Sequence, residues 1–463
     1  MHSKEGFAVS KTLRANFGCF AIVFTLATFF VSTGVGNLFG QSMSVPRKWA
    51  TSTELNDGRV LVAGGQNGGS GGQSSADVFT AGVGTAAGQF LPTGPMTTPR
   101  YQHTASLLHD GRVLVTGGYP PPGVSLATAE IYDPATGLFT ATGSMSGVRA
   151  AHRAAVLPDG RVLVAGGVDG TGVSLATAEI YDPTTGKFTP TGSMHGSRFY
   201  YSMVALNNGQ VLVAGGYTGR NGGANSTLST AELYDPAAGV FTSTGPMTVQ
   251  RIYFTATLLN GGKVLVAGGD NNNLASAEVY DPGSGTFTAT GAMVLVRYQH
   301  TATLLTSGQV LIAGGNGTDK RSELYDPASG TFSARTALQE SRAAGTATLL
   351  SNGSVLVAGG TTDNSAEIYW PAVVTPAGLT SIAVSAVQGT ATAGQNPTQT
   401  YQAMGTYVGG STQIMQGVVW STANPTVATI SNDQSDRGVA IETTLGSTNV
   451  TACAGTIWTC PHF

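Results

Sequence analysis

The chain is patterned by short apolar runs that each close on a pair of glycines. The run Val60-Leu61-Val62-Ala63 ends at Gly64-Gly65, and its equivalents end at Gly117-Gly118, Gly166-Gly167, Gly215-Gly216, Gly268-Gly269, Gly314-Gly315 and Gly359-Gly360. The seven copies recur at intervals of about 45–53 residues, the spacing of one supersecondary unit used in series. Val-Leu-Val-Ala is apolar on both faces and rich in β-branched residues, so it predicts a strand covered on both sides. The glycine pair ends that strand where backbones crowd or φ must turn positive.

Polar positions punctuate the same unit. Asp57-Gly58, Asp110-Gly111, Asp159-Gly160 and Asn208-Gly209 precede the apolar run, and Asx-Gly at such a place predicts a tight type I′ hairpin. After the run comes Ala129-Glu130-Ile131-Tyr132-Asp133-Pro134, with equivalents at Glu179, Glu232, Glu278 and Glu323. The first copy reads Asp77-Val78-Phe79-Thr80 there, and the seventh Glu367-Ile368-Tyr369-Trp370-Pro371. Asp-Pro-x-x-Gly-x-Phe, as at Asp182 to Phe188, predicts a second hairpin, with Pro fixing φ and Gly taking the left-handed position. A Phe six residues before a Met, as in Phe139 and Met145, closes the unit.

Each unit is therefore four antiparallel strands that cannot cover both faces alone. Set radially, each buries its faces against its neighbours, which is a β-propeller. The seventh unit stops at Pro371 without a fourth strand, and Leu38-Phe39-Gly40-Gln41-Ser42-Met43 resembles the missing piece. The N-terminal stretch is expected to complete the last blade.

Composition narrows the class. Charged residues make up only 10% of the 463 residues against 41% apolar, where a soluble domain carries roughly a quarter charged. A net charge of −3 offers no footprint for nucleic acid or an anionic membrane. Lys4, Lys11 and Arg14 precede an apolar stretch from Phe17 to Val35, so residues 1–36 read as a secretory signal peptide, with an uncleaved membrane anchor as the alternative. The cysteines are Cys19, Cys453 and Cys460; the last two could pair after export or remain thiols.

Arg100-Tyr101-Gln102-His103, the strand ending Gly117-Gly118, and Glu130-Ile131-Tyr132-Asp133-Pro134 together resemble the kelch repeat, with Phe where many kelch units hold Trp. The resemblance spans all seven units and implies a seven-bladed kelch-type β-propeller over residues 37–371. Beyond a linker at 372–378 the glycine-pair repeat disappears. Strands are expected at Ser381–Ala386, Gln399–Tyr407, Val418–Ser421, Val427–Ser431 and Thr448–Ala452. Val419-Trp420-Ser421-Thr422-Ala423-Asn424-Pro425-Thr426-Val427-Ala428 resembles bacterial group 2 immunoglobulin-like domains. That resemblance implies an immunoglobulin-like β-sandwich over 379–455, with a tail at 456–463. The expected fold is all-β.

Candidate chemistry is sparse. Arg47, Arg100, Arg149, Arg198, Arg251, Arg297 and Arg342 recur with Asp77, Glu130, Glu179, Glu232, Glu278, Glu323 and Glu367. Recurrence in every unit points to structural ion pairs. The loops between second and third strands vary and are the natural recognition elements, with Tyr119, Tyr217 and Arg220 as their larger side chains. His103, His152 and His300 lie at equivalent positions near the expected channel; such repeat-equivalent histidines are more often packing residues, and they also join the candidate binding set. Copper radical oxidases of the galactose oxidase type resemble this architecture, and that resemblance would imply a cysteine cross-linked to a copper-binding tyrosine. No cysteine lies between residues 20 and 452. The expectation is an exported binding scaffold for a carbohydrate or protein, without catalytic residues, metal or cofactor; an extracellular carbohydrate-active enzyme is the competing expectation.

Overall fold

The computed structural model describes residues 41–371 apart from 69–70, 82–87, 122, 220–225, 271–273, 317–319, 336 and 370, together with the backbone of eight strands between 379 and 458. The stretch 1–36 expected to be a signal peptide, the expected linker at 372–378, Arg220 and Cys460 lie outside the described residues.

Seven four-stranded antiparallel sheets follow one another along the chain. In the second blade the strands are Thr104–Leu107, Val113–Thr116, Ala129–Asp133 and Leu138–Ala141. The first strand of each blade neighbours that of the next, and the first blade's Thr51–Glu54 meets the seventh's Thr346–Leu349, so the ring is closed. The apolar run is the second strand everywhere and is buried at all four positions or nearly so, as Val60–Ala63 shows. Its side chains interdigitate with those of adjacent blades: Val113 and Val115 pack with Leu61, Ala63 and Met96 of the preceding blade.

The expected latch is present. Gln41–Ser42 pairs antiparallel with the seventh blade's third strand, Gln41 opposite Ala366 and Ser42 opposite Ser365. Met43 donates its N–H to Asn364 O at 2.9 Å, and its side chain is buried between the last and first blades.

The first hairpin differs from the expected type I′ turn. Leu55 and Arg59 form the closing pair, Gly58 N–H bonds Leu55 O at 2.9 Å, and within the turn only Gly58 has positive φ, +78°. This is a three-residue loop, a type I turn followed by one left-handed glycine. The Asp favours it by accepting a hydrogen bond from the Arg59 N–H, 3.1 Å from Asp57 Oδ1. The second hairpin is as expected: Gly137 stands at φ +70° and donates to Asp133 O at 2.8 Å.

The glycine pair is a point where blades meet. A Cβ on Gly64 would stand 2.6 Å from the carbonyl oxygen of Arg100 in the next blade. Gly65 donates its N–H to that same oxygen at 2.8 Å.

Beyond the propeller, Leu379–Val387, Thr398–Tyr407, Thr412–Ile414, Ala428–Ile430 and Val439–Glu442 form a five-stranded sheet, and Val419–Thr422, Val450–Ala454 and Ile457–Trp458 a three-stranded one. All five expected strands are there, shifted by a residue or two; the other three carry too little alternation to be read in advance.

Candidate functional site

The repeated arginines serve the fold. Each is buried and paired with the acid of its own blade, as in Arg100 to Glu130 at 2.9 Å and Arg251 to Glu278 at 2.8 Å. The guanidinium also donates to the first glycine of the pair, 2.8 Å from Arg100 Nη1 to Gly117 O. Glu130 in turn accepts the Thr97 N–H at 2.7 Å, fixing the segment that enters the blade. The ion pair thus ties three stretches of chain together in each blade, and its polar atoms exchange water for one another.

Two residues beyond each arginine the chain does something different. Trp49, Gln102, Ala151, Tyr200, Tyr253, Gln299 and Ala344 all stand at φ of +50° to +58°. A non-glycine residue there costs about 1–2 kcal/mol. The cost is offset by a circle of hydrogen bonds around the channel mouth. Gln102 N–H donates to Trp49 O at 3.1 Å, Ala151 to Gln102, Tyr200 to Ala151, Tyr253 to Tyr200, Gln299 to Tyr253 and Ala344 to Gln299. Trp49 N–H completes it at 2.9 Å from Ala344 O. Seven residues from seven blades form one closed loop, which fixes where their side chains start.

Those side chains meet over the axis. The Trp49 ring, from the first blade, lies 6.1 Å from Tyr200 in the fourth and 5.9 Å from Tyr253 in the fifth. Tyr200 and Tyr253 are 4.3 Å apart. The Tyr200 hydroxyl donates to Gln102 Oε1 at 3.0 Å. All four residues are half-buried. Phe199 extends the cluster, 4.9 Å from Tyr200. Burial pushes the Tyr253 phenol well above its ordinary value, with Tyr200 adding to the effect.

Of the sequence-predicted residues, the structure brings Tyr119 and Tyr217 to the edge of this cluster. Tyr119 pairs through its backbone with Tyr101, the rings 5.2 Å apart, and burial raises its phenol to about 12. Tyr217 pairs likewise with Phe199, ring to ring at 5.5 Å. In the third blade the equivalent pairing is Ala150 with Val168, and Ala150, Ala151 and Val168 are all buried.

The three histidines are placed elsewhere. His103, His152 and His300 are buried between blades, each with Nε2 on a threonine of the preceding blade: Thr51 at 3.0 Å, Thr104 at 3.2 Å and Thr255 at 2.9 Å. Burial lowers His103 and His300 to about 3, and His152 well below the usual range. A ligand could reach them only by parting two blades, so they leave the binding set. In the fourth blade Tyr201 fills the same place, its hydroxyl on Ala165 O, and in the fifth Phe254 does.

Sequence reasoning missed Trp49, Gln102, Tyr200 and Tyr253. The available signal was size variation at one fixed offset from the repeated arginine. A groove of about 490 Å³ along the third blade runs past Ser146, Asp169 and Pro190, but its Arg149 and Glu179 are already paired with each other. Among the described residues no group of three or more His, Cys, Asp or Glu is arranged to hold a metal.

Residues 149–195, 198–248 and 251–293 match the Kelch motif family. Among curated proteins no sequence gives a significant match. Of solved structures, a fungal alcohol oxidase of the AA5 family, in complex with copper, is similar at 17% identity and a TM-score of 0.62, over 91% of this chain and 97% of that one. The structure of YjhT is similar at 16% identity and a TM-score of 0.50, over 64% of this chain and 99% of its own. At such identities the likeness concerns the fold. The chain carries kelch motifs and forms a seven-bladed β-propeller.

Proposed function

We propose that this protein is an exported, non-catalytic binding scaffold whose propeller mouth recognises a carbohydrate. The observation that carries this is the cluster of Trp49, Tyr200 and Tyr253 over the channel axis. Aromatic faces cover the apolar faces of sugar rings, while the Gln102 amide and the surrounding phenols offer hydrogen bonds at the edges. A protein ligand, anchored by the same aromatics, is the second occupant the surface suits. The basic-then-apolar N-terminus supports export. The C-terminal strands, with the Trp420–Ala428 motif, support an immunoglobulin-like sandwich acting as spacer or attachment module.

The enzymatic alternative draws on the copper-containing alcohol oxidase among the similar folds. The residues do not suit that cofactor: the propeller has no cysteine for a cross-link, and its three repeat-equivalent histidines spend Nε2 on threonines. Glycan-array binding by the full chain, with turnover assays run with and without added copper, separates the two. Saccharide binding without turnover supports the scaffold; copper-dependent oxidation of an alcohol or sugar would overturn it.

A further inference from the structure

Four residues beyond each repeated arginine, at the start of the innermost strand, six blades hold a small hydroxyl: Thr51, Thr104, Ser202, Thr255, Thr301 and Thr346. Each is engaged, as with Thr51 on His103, Ser202 on Phe254 O and Thr346 on Ala358 O. The third blade holds Arg153 instead.

Arg153 donates from Nε to Tyr201 O at 2.9 Å and from Nη1 to His152 O at 3.3 Å. Both acceptors are neutral carbonyls. Among the described residues no carboxylate pairs with it, whereas the nearby Arg149 and Arg198 are matched by Glu179 and Glu232. His152 is held neutral by burial, with Arg149 and Arg153 contributing. The local charge is therefore one guanidinium without a carboxylate partner, half-buried at the channel wall beneath Tyr200. Burial pulls its pKa down, but an arginine stays charged. A half-buried guanidinium with donors left over and no carboxylate beside it is a ready partner for an anion.

We propose that the channel beneath the aromatic cluster is an oxyanion site, anchored by Arg153, for a carboxylate or phosphate group. The guanidinium's planar donor fork is suited to such a group, and two of its donors already sit on carbonyls that orient it. The oxyanion is either free or borne by an acidic saccharide lying on Trp49, Tyr200 and Tyr253. The site does not depend on the carbohydrate proposal.

The test compares the full chain with Arg153→Thr, which restores what five of the other blades carry outright and so keeps the fold. Melting is measured in acetate, in phosphate and in chloride at matched ionic strength. The oxyanions are expected to raise the wild-type Tm by about 2 °C or more over chloride. R153T should show no such rise, and without oxyanion should melt no lower than wild type. A wild-type chain indifferent to both oxyanions overturns the proposal. So does an R153T chain that melts lower yet keeps the response, since Arg153 would then be only a brace for two carbonyls. A uronic-acid oligosaccharide run against a neutral one identifies the source. A tenfold preference lost in R153T assigns the oxyanion to a bound saccharide; no preference, with the acetate or phosphate response intact, assigns it to a free ion.

Discussion

In every blade the chain passes through two positions separated by a single residue and treats them oppositely. The first is arginine seven times, buried, paired and bonded to the same glycine carbonyl. The second has the same backbone in all seven blades, at φ of +50° to +58°, yet carries Trp, Gln, Ala, Tyr, Tyr, Gln and Ala. Because the repeats share one chain and one fold, each blade is a control for the others. A side chain present in all of them is one that the blade itself requires. A side chain that changes while its backbone does not is free to answer to something outside the fold. The blade body and the channel mouth are thus separable, and the separation can be attacked from either side.

The strongest blow to the blade body is to open the ring. Deleting residues 37–43 removes the antiparallel pairing at Gln41 and Ser42 and the buried Met43. The loss is expected at about 3–5 kcal/mol, read as a sharply lower Tm by calorimetry. An unchanged melting curve would mean that the seventh blade holds without its fourth strand. Next comes a single ion pair. Arg100→Met leaves Glu130 buried and unmatched and is expected to cost about 3–5 kcal/mol. Adding Glu130→Met should recover much of it, because the second change removes the stranded charge. A double variant as unstable as the single one would show that the pair's worth lies in its backbone contacts.

The histidines give a smaller effect with a defined sign. In the folded chain His103 and His300 bind a proton only near pH 3, and His152 is also well below its ordinary range. In the unfolded chain each takes up a proton near pH 6.5. Between those values the unfolded state binds more protons, so stability rises with pH. Their contribution is complete above about pH 6.5 and is lost progressively as pH falls toward 3. Replacing all three by Phe, which Phe254 shows the site accepts, should flatten the dependence of Tm on pH in that window. A slope identical to wild type would place the acid sensitivity in other groups.

The blade body was legible because its requirements are local. Asx-Gly hairpins, the glycine pair and the Arg–Glu register each act within a few residues or recur at fixed spacing, and even the latch showed as a fragment of the repeated pattern. The mouth was not legible for a physical reason. Trp49 and Tyr200 are brought together by ring closure across the axis, and no local propensity marks such a pair. Tyr119 and Tyr217 were found because variable loops draw attention to large side chains, and both lie at the cluster's rim. The histidines pack, as repeat-equivalent residues usually do; the binding reading of them equated position beside the first strand with facing the channel. A propeller blade turns its faces toward its neighbours, so those side chains point into the interface with the preceding blade rather than inward.

The mildest change for stability is also the sharpest probe of the mouth. Trp49→Gln and Tyr253→Gln install the residue that the second and sixth blades already hold at the same φ, in Gln102 and Gln299. The hydrogen-bonded circle uses backbone atoms only, so it survives either substitution. Half-buried rings that pack on one another rather than into a blade should cost little when replaced, about 1 kcal/mol or less. Binding is another matter, since a lost aromatic platform typically weakens recognition by at least about tenfold, or about 1.4 kcal/mol. A variant with near-native melting and a tenfold weaker Kd for the saccharide found on the array separates mouth from body as proposed. Native affinity in both variants would move the ligand away from the axis, to the outer loops.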